Sequence, residues 1–246
     1  MIHNILELLE QNALVLILTS IMSYLMGSIS FAVIVTMYYK KKDIREYGSG
    51  NAGMTNVMRS VGKVEGLITL VGDFLKAVIA LKLTELITTS FGIEIYSQRA
   101  GQNISPVPES LYIAGFFCLL GHMFPIFFKF KGGKGVLVTA GMIAVIDWRV
   151  FIAILIIFVI VFLFSKTISL ASIISAVFYP IATYLITFFV YYKGQTYKDY
   201  QVEQVTIVTV TAALIAIIII FTHRQNIVRI FSATEPKFKI KGEKPF

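Results

Sequence analysis

The chain has 246 residues, of which 57% are apolar and only 15% charged, and its mean hydropathy is +0.78. A soluble domain averages about 45–50% apolar and about 25% charged residues, so this excess, gathered into long runs, excludes an ordinary soluble globule and indicates an integral membrane protein. The net charge of +8 would suggest nucleic acid in a soluble chain. In a membrane protein, basic cytoplasmic loops and anionic headgroups account for it, and no nucleic-acid partner is expected. Cys118 is the only cysteine, which excludes intrachain disulfides and thiolate metal sites.

Seven apolar stretches follow in chain order: 12–39, 64–91, 109–128, 134–147, 150–165, 168–192 and 205–222. The first does not read as a cleaved signal, because Glu7 and Glu10 flank it and the run is too long. The fourth and fifth are short against the roughly 20 residues a spanning helix needs. They read as short tilted spans, a re-entrant pair or one broken hairpin. No internal repeat or low-complexity linker is visible. The expected fold is an all-α integral membrane protein of about seven transmembrane helices, built as one polytopic domain over 1–246.

Basic residues set the orientation. With the N-terminus outside, the inner segments hold Lys40, Lys41, Lys42, Arg45, Arg59, Lys63, Lys129, Lys131, Lys134, Lys166, Arg224, Arg229, Lys237, Lys239, Lys241 and Lys244. The outer segments hold only Arg99, Arg149, Lys193 and Lys198. This asymmetry predicts an outside N-terminus, a cytoplasmic C-terminus and three cytoplasmic segments, 40–63, 129–135 and 223–238, that carry the chemistry.

The first segment contains GSGNAG (48–53), which matches G-x-G-x-x-G, and Asp73 lies at the spacing of a ribose-binding acid. The charged run before the glycines is unlike a buried strand, and Asp73 falls inside an apolar span, so a dinucleotide fold is excluded. Gly48, Gly50 and Gly53 instead free the backbone to form an anion nest. Ser49, Asn51, Thr55 and Asn56 add short donors, and Arg59 adds a fork suited to phosphate. A loop that merely joins two spans and touches headgroups is the blander alternative.

The second segment, FKFKGGKG (128–135), lacks the glycine spacing and the hydroxyl residue of a Walker loop. Lys131 and Lys134 with Gly132 and Gly133 suit a phosphate approached by ammonium and backbone together, although snorkelling lysines would look alike. His122, one turn below that surface, reads as a packed histidine. In the third segment His223 and Asn226 are three residues apart and share a helix face, as a base or oxyanion donor would require. A positive-inside stop signal that happens to include a histidine is the alternative. Asp73 and Lys76, at i,i+3 within the second span, can pair there as a structural or site-supporting unit. The histidines do not group with cysteine or clustered acids, so no metal and no cofactor is expected.

Together these residues resemble the bacterial acyl-phosphate:glycerol-3-phosphate acyltransferase family. The resemblance is carried by GSISFA (27–32), DIREYGSGNAGMTNVMRSVGKVEG (43–66) with Asp73 and Lys76, GHMFPIFFKFKGGKG (121–135) and HRQNIVRIFSATEPK (223–237), which includes Glu235. Ser30 stands where the family has proline, Met54 where it has alanine and Ala77 where it has glycine, while Leu137 interrupts its GVAT stretch. The loop 91–110 is longer than usual. The resemblance implies acyl transfer from acyl phosphate to glycerol 3-phosphate, giving 1-acyl-glycerol 3-phosphate (lysophosphatidic acid) and phosphate, the first step of phospholipid synthesis. It implies a bacterial cell membrane, a cytoplasmic active site, membrane lipids as neighbours and the soluble enzyme that supplies acyl phosphate as a further partner.

Among the implied site residues, Ser49, Arg59, His223 and Asn226 act in catalysis, and the glycine loops bind phosphate. His223 would either take the acceptor's proton or orient a substrate while a substrate phosphate takes it. No carboxylate adjoins it in sequence to fix its tautomer, which favours the orienting role. A transporter or channel for phosphate or organic anions is the competing reading, since its loops would look similar.

Overall fold

A backbone in lipid must satisfy its own N–H and C=O groups, and a helix does so within one segment. The computed structural model describes residues 2–90, 109–196, 200 and 202–238, and every regular element among them is helical. The helices are α1 (Ile2–Gly27), α2 (Phe31–Lys40), α3 (Met54–Ser60), α4 (Lys63–Ser90), α5 (Glu109–Met123), α6 (Val136–Ile146), α7 (Trp148–Ser165), α8 (Ile168–Leu185), α9 (Val202–Thr222) and α10 (Arg224–Phe231). A π-helical stretch, Ile186–Lys193, continues α8. Residues 91–108 of the expected long outer loop lie outside the described residues, as do Lys198, Lys239, Lys241 and Lys244.

The all-helical membrane class follows the sequence, but the span count does not follow as simply. Among the described residues, five segments are long and apolar enough to cross a bilayer: Ala13–Lys40, Ser110–Phe128, Trp148–Ser165, Ile168–Lys193 and Gln204–Thr222. α4 is 28 residues long but carries Lys63, Glu65, Asp73, Lys76, Lys82 and Glu85. The 11 residues of α6 rise only about 16 Å, roughly half a hydrocarbon core. The first apolar stretch is not one helix either, since residues 28–30 interrupt it between α1 and α2.

The chain divides into two compact units, Met1–Trp148 with Tyr197–Tyr200, and Arg149–Thr196 with Gln201–Phe246. In the first unit α1 packs on α5, and α4 packs on α1, α2, α3, α5 and α6. Close approach of α1 and α5 depends on missing side chains. A Cβ on Gly27 would strike the Cys118 carbonyl, and one on Gly121 would strike the Tyr24 carbonyl. Small residues at such crossings let backbones pack where no hydrophobic effect drives helices together. Tyr24 Oη then donates to the Phe124 carbonyl across the same contact at 2.7 Å.

The interruption at 28–30 leaves backbone groups inside the unit without helical partners, and α4 supplies them. Lys76 Nζ donates to the Ile29 carbonyl at 2.7 Å, and the Phe31 N–H at the start of α2 donates to Asp73. Ser30, the residue preceding α2, makes no side-chain cap of its own. Lys76 Nζ lies 2.9 Å from Asp73 Oδ1 and 3.0 Å from His122 Nδ1, so three acceptors surround an ammonium with three N–H groups. Asp73 is 1% exposed, Lys76 3% and His122 5%. The pair that the sequence placed at i,i+3 is therefore also the plug of a broken helix.

In the second unit α8 packs on α9, and α10 lies against both. Among its residues α7 buries only Val150, and Phe164 is 88% exposed, a pattern tolerable in lipid and ruinous in water. Hydroxyls along the helices turn back on their own carbonyls, as Ser172 does to Ile168 and Thr183 to Tyr179, each at 2.9 Å.

Breaking the buried pair from one side strands a charge. Lys76→Met alone should destabilise the protein by about 3–5 kcal/mol, whereas Asp73→Leu with Lys76→Met should recover only part of that loss, because the Ile29 carbonyl and the Phe31 N–H stay unpaired. Thermal unfolding in detergent measures both; equal stability of the single and double variants would show that the pair is not coupled.

Candidate active site

Glycines in the first loop are needed where φ is positive, at Gly48 (+55°) and Gly50 (+70°). The loop then closes on Asn56, which is buried in the first turn of α3. Its Nδ2 donates to the carbonyls of Ile44 (3.2 Å), Tyr47 (2.9 Å) and Asn51 (3.1 Å), and its Oδ1 accepts from the Ser49 N–H at 3.1 Å. Gly50 N–H bonds to the Tyr47 carbonyl and Gly53 N–H to that of Asn51. The N–H groups expected to form an outward nest at Ser49, Gly50 and Gly53 are thus turned into the loop itself. Ser49 and Arg59 are exposed, and Asn51 and Thr55 are half-buried.

The second loop follows α5. Pro125 opens a short 3₁₀ turn, Ile126–Phe128, and then Lys129 (φ 57°) and Phe130 (φ 56°) are both left-handed. Two consecutive side-chain-bearing residues in that region are costly and persist only when their surroundings hold them. Arg45 does so. Its Nη1 donates to the Phe128 carbonyl at 2.5 Å and to the Lys131 carbonyl at 3.2 Å, bracketing the strained pair. Asp43 grips the other side of the guanidinium, with Nη2 to Oδ2 at 2.6 Å and both carboxylate oxygens 3.0 Å from Nε. Hydrogen bonding to Arg45 holds the Asp43 carboxyl below its usual range. That contribution is present above the ordinary carboxylate pKa of about 3.9 and is lost as pH falls through the lowered value.

Beyond the strained pair, Gly132 N–H bonds to the Met123 carbonyl and Gly133 N–H to that of His122, both at 3.1 Å. A Cβ on Gly133 would collide with His122 Nε2 and lie 2.6 Å from the Ala52 carbonyl. The two glycine loops therefore meet at Gly133. Lys131 is exposed there and Lys134 half-buried. The first unit thus brings Gly48–Arg59 together with Lys131–Lys134, and sets Asp73 and Lys76 beneath them through His122.

The second unit holds the C-terminal motif. His223, 3% exposed, joins α9 to α10, and its Nδ1 lies 2.8 Å from the Ile219 carbonyl. A carbonyl oxygen only accepts, so Nδ1 carries a proton, which in a neutral ring leaves the lone pair on Nε2. Asn226, 5% exposed, donates Nδ2 to Glu235 Oε1 at 2.7 Å. Ser169 donates to the same oxygen at 2.6 Å, and Arg229 Nε donates to Oε2 at 2.6 Å. Burial pushes the Glu235 carboxyl up, but these donors outweigh it and hold it below its usual range. The tail is fastened further by the Phe238 N–H on the Lys166 carbonyl and by the Phe238 ring edge-on to Phe162.

Sequence reasoning passed over Arg45 and Ser169. Asp43 and Arg45, two residues apart beside the glycines, were the available signal for the first. Nothing local marks Ser169, whose partner lies 66 positions away. Replacing Arg45 by lysine removes the planar fork that reaches two carbonyls and a carboxylate together. Arg45→Lys should leave thermal unfolding nearly unchanged and raise the KM for a phosphate-bearing substrate about tenfold or more through misplacement of the loops. An unchanged KM would deny the clasp any part in shaping the site.

The chain has clear relatives. The glycerol-3-phosphate acyltransferase family matches residues 17–233. A glycerol-3-phosphate acyltransferase of Bacillus subtilis is 36% identical over 219 residues, covering 89% of this chain and 95% of its own. Glycerol-3-phosphate acyltransferase 2 of Bacillus anthracis is 35% identical, covering 90% of this chain and 98% of its own. Among solved structures, PlsY (YgiH), an integral membrane glycerol 3-phosphate acyltransferase in its glycerol 3-phosphate form, superposes with a TM-score of 0.69 at 32% identity. That match covers 91% of this chain and 96% of the other. Its lysophosphatidic acid form gives 0.67 at 31% identity. The chain belongs to the glycerol-3-phosphate acyltransferase family.

Proposed function

We propose that this membrane acyltransferase moves a fatty acyl group from an acyl phosphate to glycerol 3-phosphate, giving 1-acyl-glycerol 3-phosphate and inorganic phosphate. The observation that supports the reading is the meeting of two cation-bearing glycine loops at Gly133, because two phosphate-bearing substrates call for two anion sites. The related structures support the acceptor and product, because glycerol 3-phosphate and lysophosphatidic acid differ by one acyl transfer. An acyl phosphate is already an activated mixed anhydride, so the donor requires no covalent enzyme intermediate, metal or other cofactor. Family membership stands against the anion-transporter reading.

In this mechanism the glycerol hydroxyl oxygen attacks the acyl carbonyl carbon, the bond from that carbon to the phosphate oxygen breaks, and phosphate departs. Ser49, Asn51, Thr55 and Arg59 bind one phosphate through side chains, with Gly48, Gly50 and Gly53 shaping the loop and Asn56 holding it closed. Lys131 and Lys134 bind the other, with Gly132 and Gly133 shaping that loop. His223 accepts the hydroxyl proton at Nε2, the role its fixed tautomer supports, since neutral Nε2 cannot donate to a phosphate. Asn226 and Glu235 support His223 by tying α10 to the tail. The site faces the cytoplasm in a single polytopic domain of about seven spans with the N-terminus outside, as the Lys and Arg asymmetry requires. In a bacterial cell membrane, a soluble enzyme would supply the acyl phosphate.

Purified protein given acyl phosphate and glycerol 3-phosphate should release phosphate only when the acceptor is present. Acceptor-independent release, or turnover with a thioester donor alone, would exclude the proposed donor. His223→Gln should lower kcat by about 10²–10⁴-fold and abolish the rise of rate with pH while leaving the KM for glycerol 3-phosphate near its original value. A retained pH limb with a raised KM would assign the base to a substrate phosphate.

A further inference from the structure

The reaction as proposed leaves one buried titratable group without a task. His122 lies at the end of α5, 5% exposed, with Nδ1 3.0 Å from Lys76 Nζ. Lys76 Nζ pairs with Asp73 Oδ1 at 2.9 Å and donates to the Ile29 carbonyl at 2.7 Å, and an ammonium has no lone pair. His122 Nδ1 must therefore accept, which puts the ring proton on Nε2. This is the opposite tautomer to that of His223.

Nε2 is the atom that a Cβ on Gly133 would strike, and the same Cβ would approach the Ala52 carbonyl. The N–H thus emerges where the second glycine loop crosses the first, and it has no hydrogen-bond partner among the described residues. Gly133 N–H, tied to the His122 carbonyl at 3.1 Å, keeps the loop over the ring. A glycine at 133 is what allows the imidazole edge to reach the seam, since any side chain there would occupy its place. A polar side chain more than nine-tenths buried, with its proton position dictated by a buried ion pair, is a costly construction to leave unused.

We propose that His122 is a substrate-binding donor: its Nε2–H bonds a phosphate oxygen of a substrate lying across the two glycine loops, and Asp73–Lys76 sets the tautomer that makes it a donor. The proposal rests on the phosphate-binding reading of those loops. The oxygen belongs to glycerol 3-phosphate or to the acyl phosphate, and kinetics separate the two.

The test uses the full chain in detergent with ¹⁵N-labelled histidine. The His122 resonances, identified by their loss in His122→Phe, should show a neutral ring protonated at Nε2, and the Nε2–H signal should move on adding inorganic phosphate. His122→Phe should raise the KM for one of the two substrates about tenfold or more while changing kcat less, and the substrate affected names the phosphate held. His122→Gln, whose amide can place an N–H near the same point, should recover most of the loss. A ring protonated at Nδ1, a resonance indifferent to phosphate, or unaltered KM values for both substrates in His122→Phe would overturn the proposal. If the phenylalanine variant does not fold, His3→Gln with His223→Gln leaves His122 as the remaining histidine, and its tautomer and phosphate response still decide it. Failure of the wild-type protein to use acyl phosphate would sink the donor assignment alone, because the phosphate response is measured without turnover.

Discussion

One buried ion pair organises the first unit. A helix interrupted inside a membrane protein exposes carbonyl and amide groups that lipid cannot satisfy, each at a cost of several kcal/mol. Asp73 and Lys76 meet that demand at residues 28–31: the ammonium takes the Ile29 carbonyl and the carboxylate takes the Phe31 N–H. The charges in turn would be prohibitive alone on α4 and are tolerated because each answers the other and the break. The interruption and the pair are therefore one feature, and removing either leaves the other unsupported. Ser30, where relatives of the resembled pattern carry proline, keeps the interruption without the ring that would enforce it.

From that pair the construction reaches outward through His122 to the glycine loops. A loop that is ordered before it meets a ligand loses no binding energy to ordering. Three internal devices supply that rigidity here. Asn56 spends its amide on three loop carbonyls, Arg45 spans the left-handed Lys129–Phe130 turn, and Gly133 nests against the His122 ring. The exposed cations Arg59, Lys129 and Lys131 sit on segments shaped by other residues.

The second unit uses a different economy. Glu235 gathers Ser169, Asn226 and Arg229, so one carboxylate ties the start of α8, the helix α10 and the tail. His223 needs no carboxylate to set its ring, because the chain's own turn at the end of α9 presents the Ile219 carbonyl. A backbone acceptor orients the ring while adding no charge beside it.

Composition and the run lengths of apolar residues were enough to determine an all-helical membrane protein, because transfer into lipid is a sum over residues and needs no knowledge of partners. The motifs 43–66, 121–135 and 223–237 likewise announced the family and its anion chemistry, since glycines and cations act through local backbone freedom and charge. What the tertiary structure decided were matters of pairing across distance. Spacing alone could not say that the Ser49 and Gly50 N–H groups turn inward, that Arg45 spans a strained turn more than 80 residues away, or that Ser169 reaches Glu235. Nor could it say that the Nδ1 atoms of His122 and His223 meet opposite partners, a donor and an acceptor. Each partner is fixed by packing: an ammonium from another helix in one case and a carbonyl one turn back in the other.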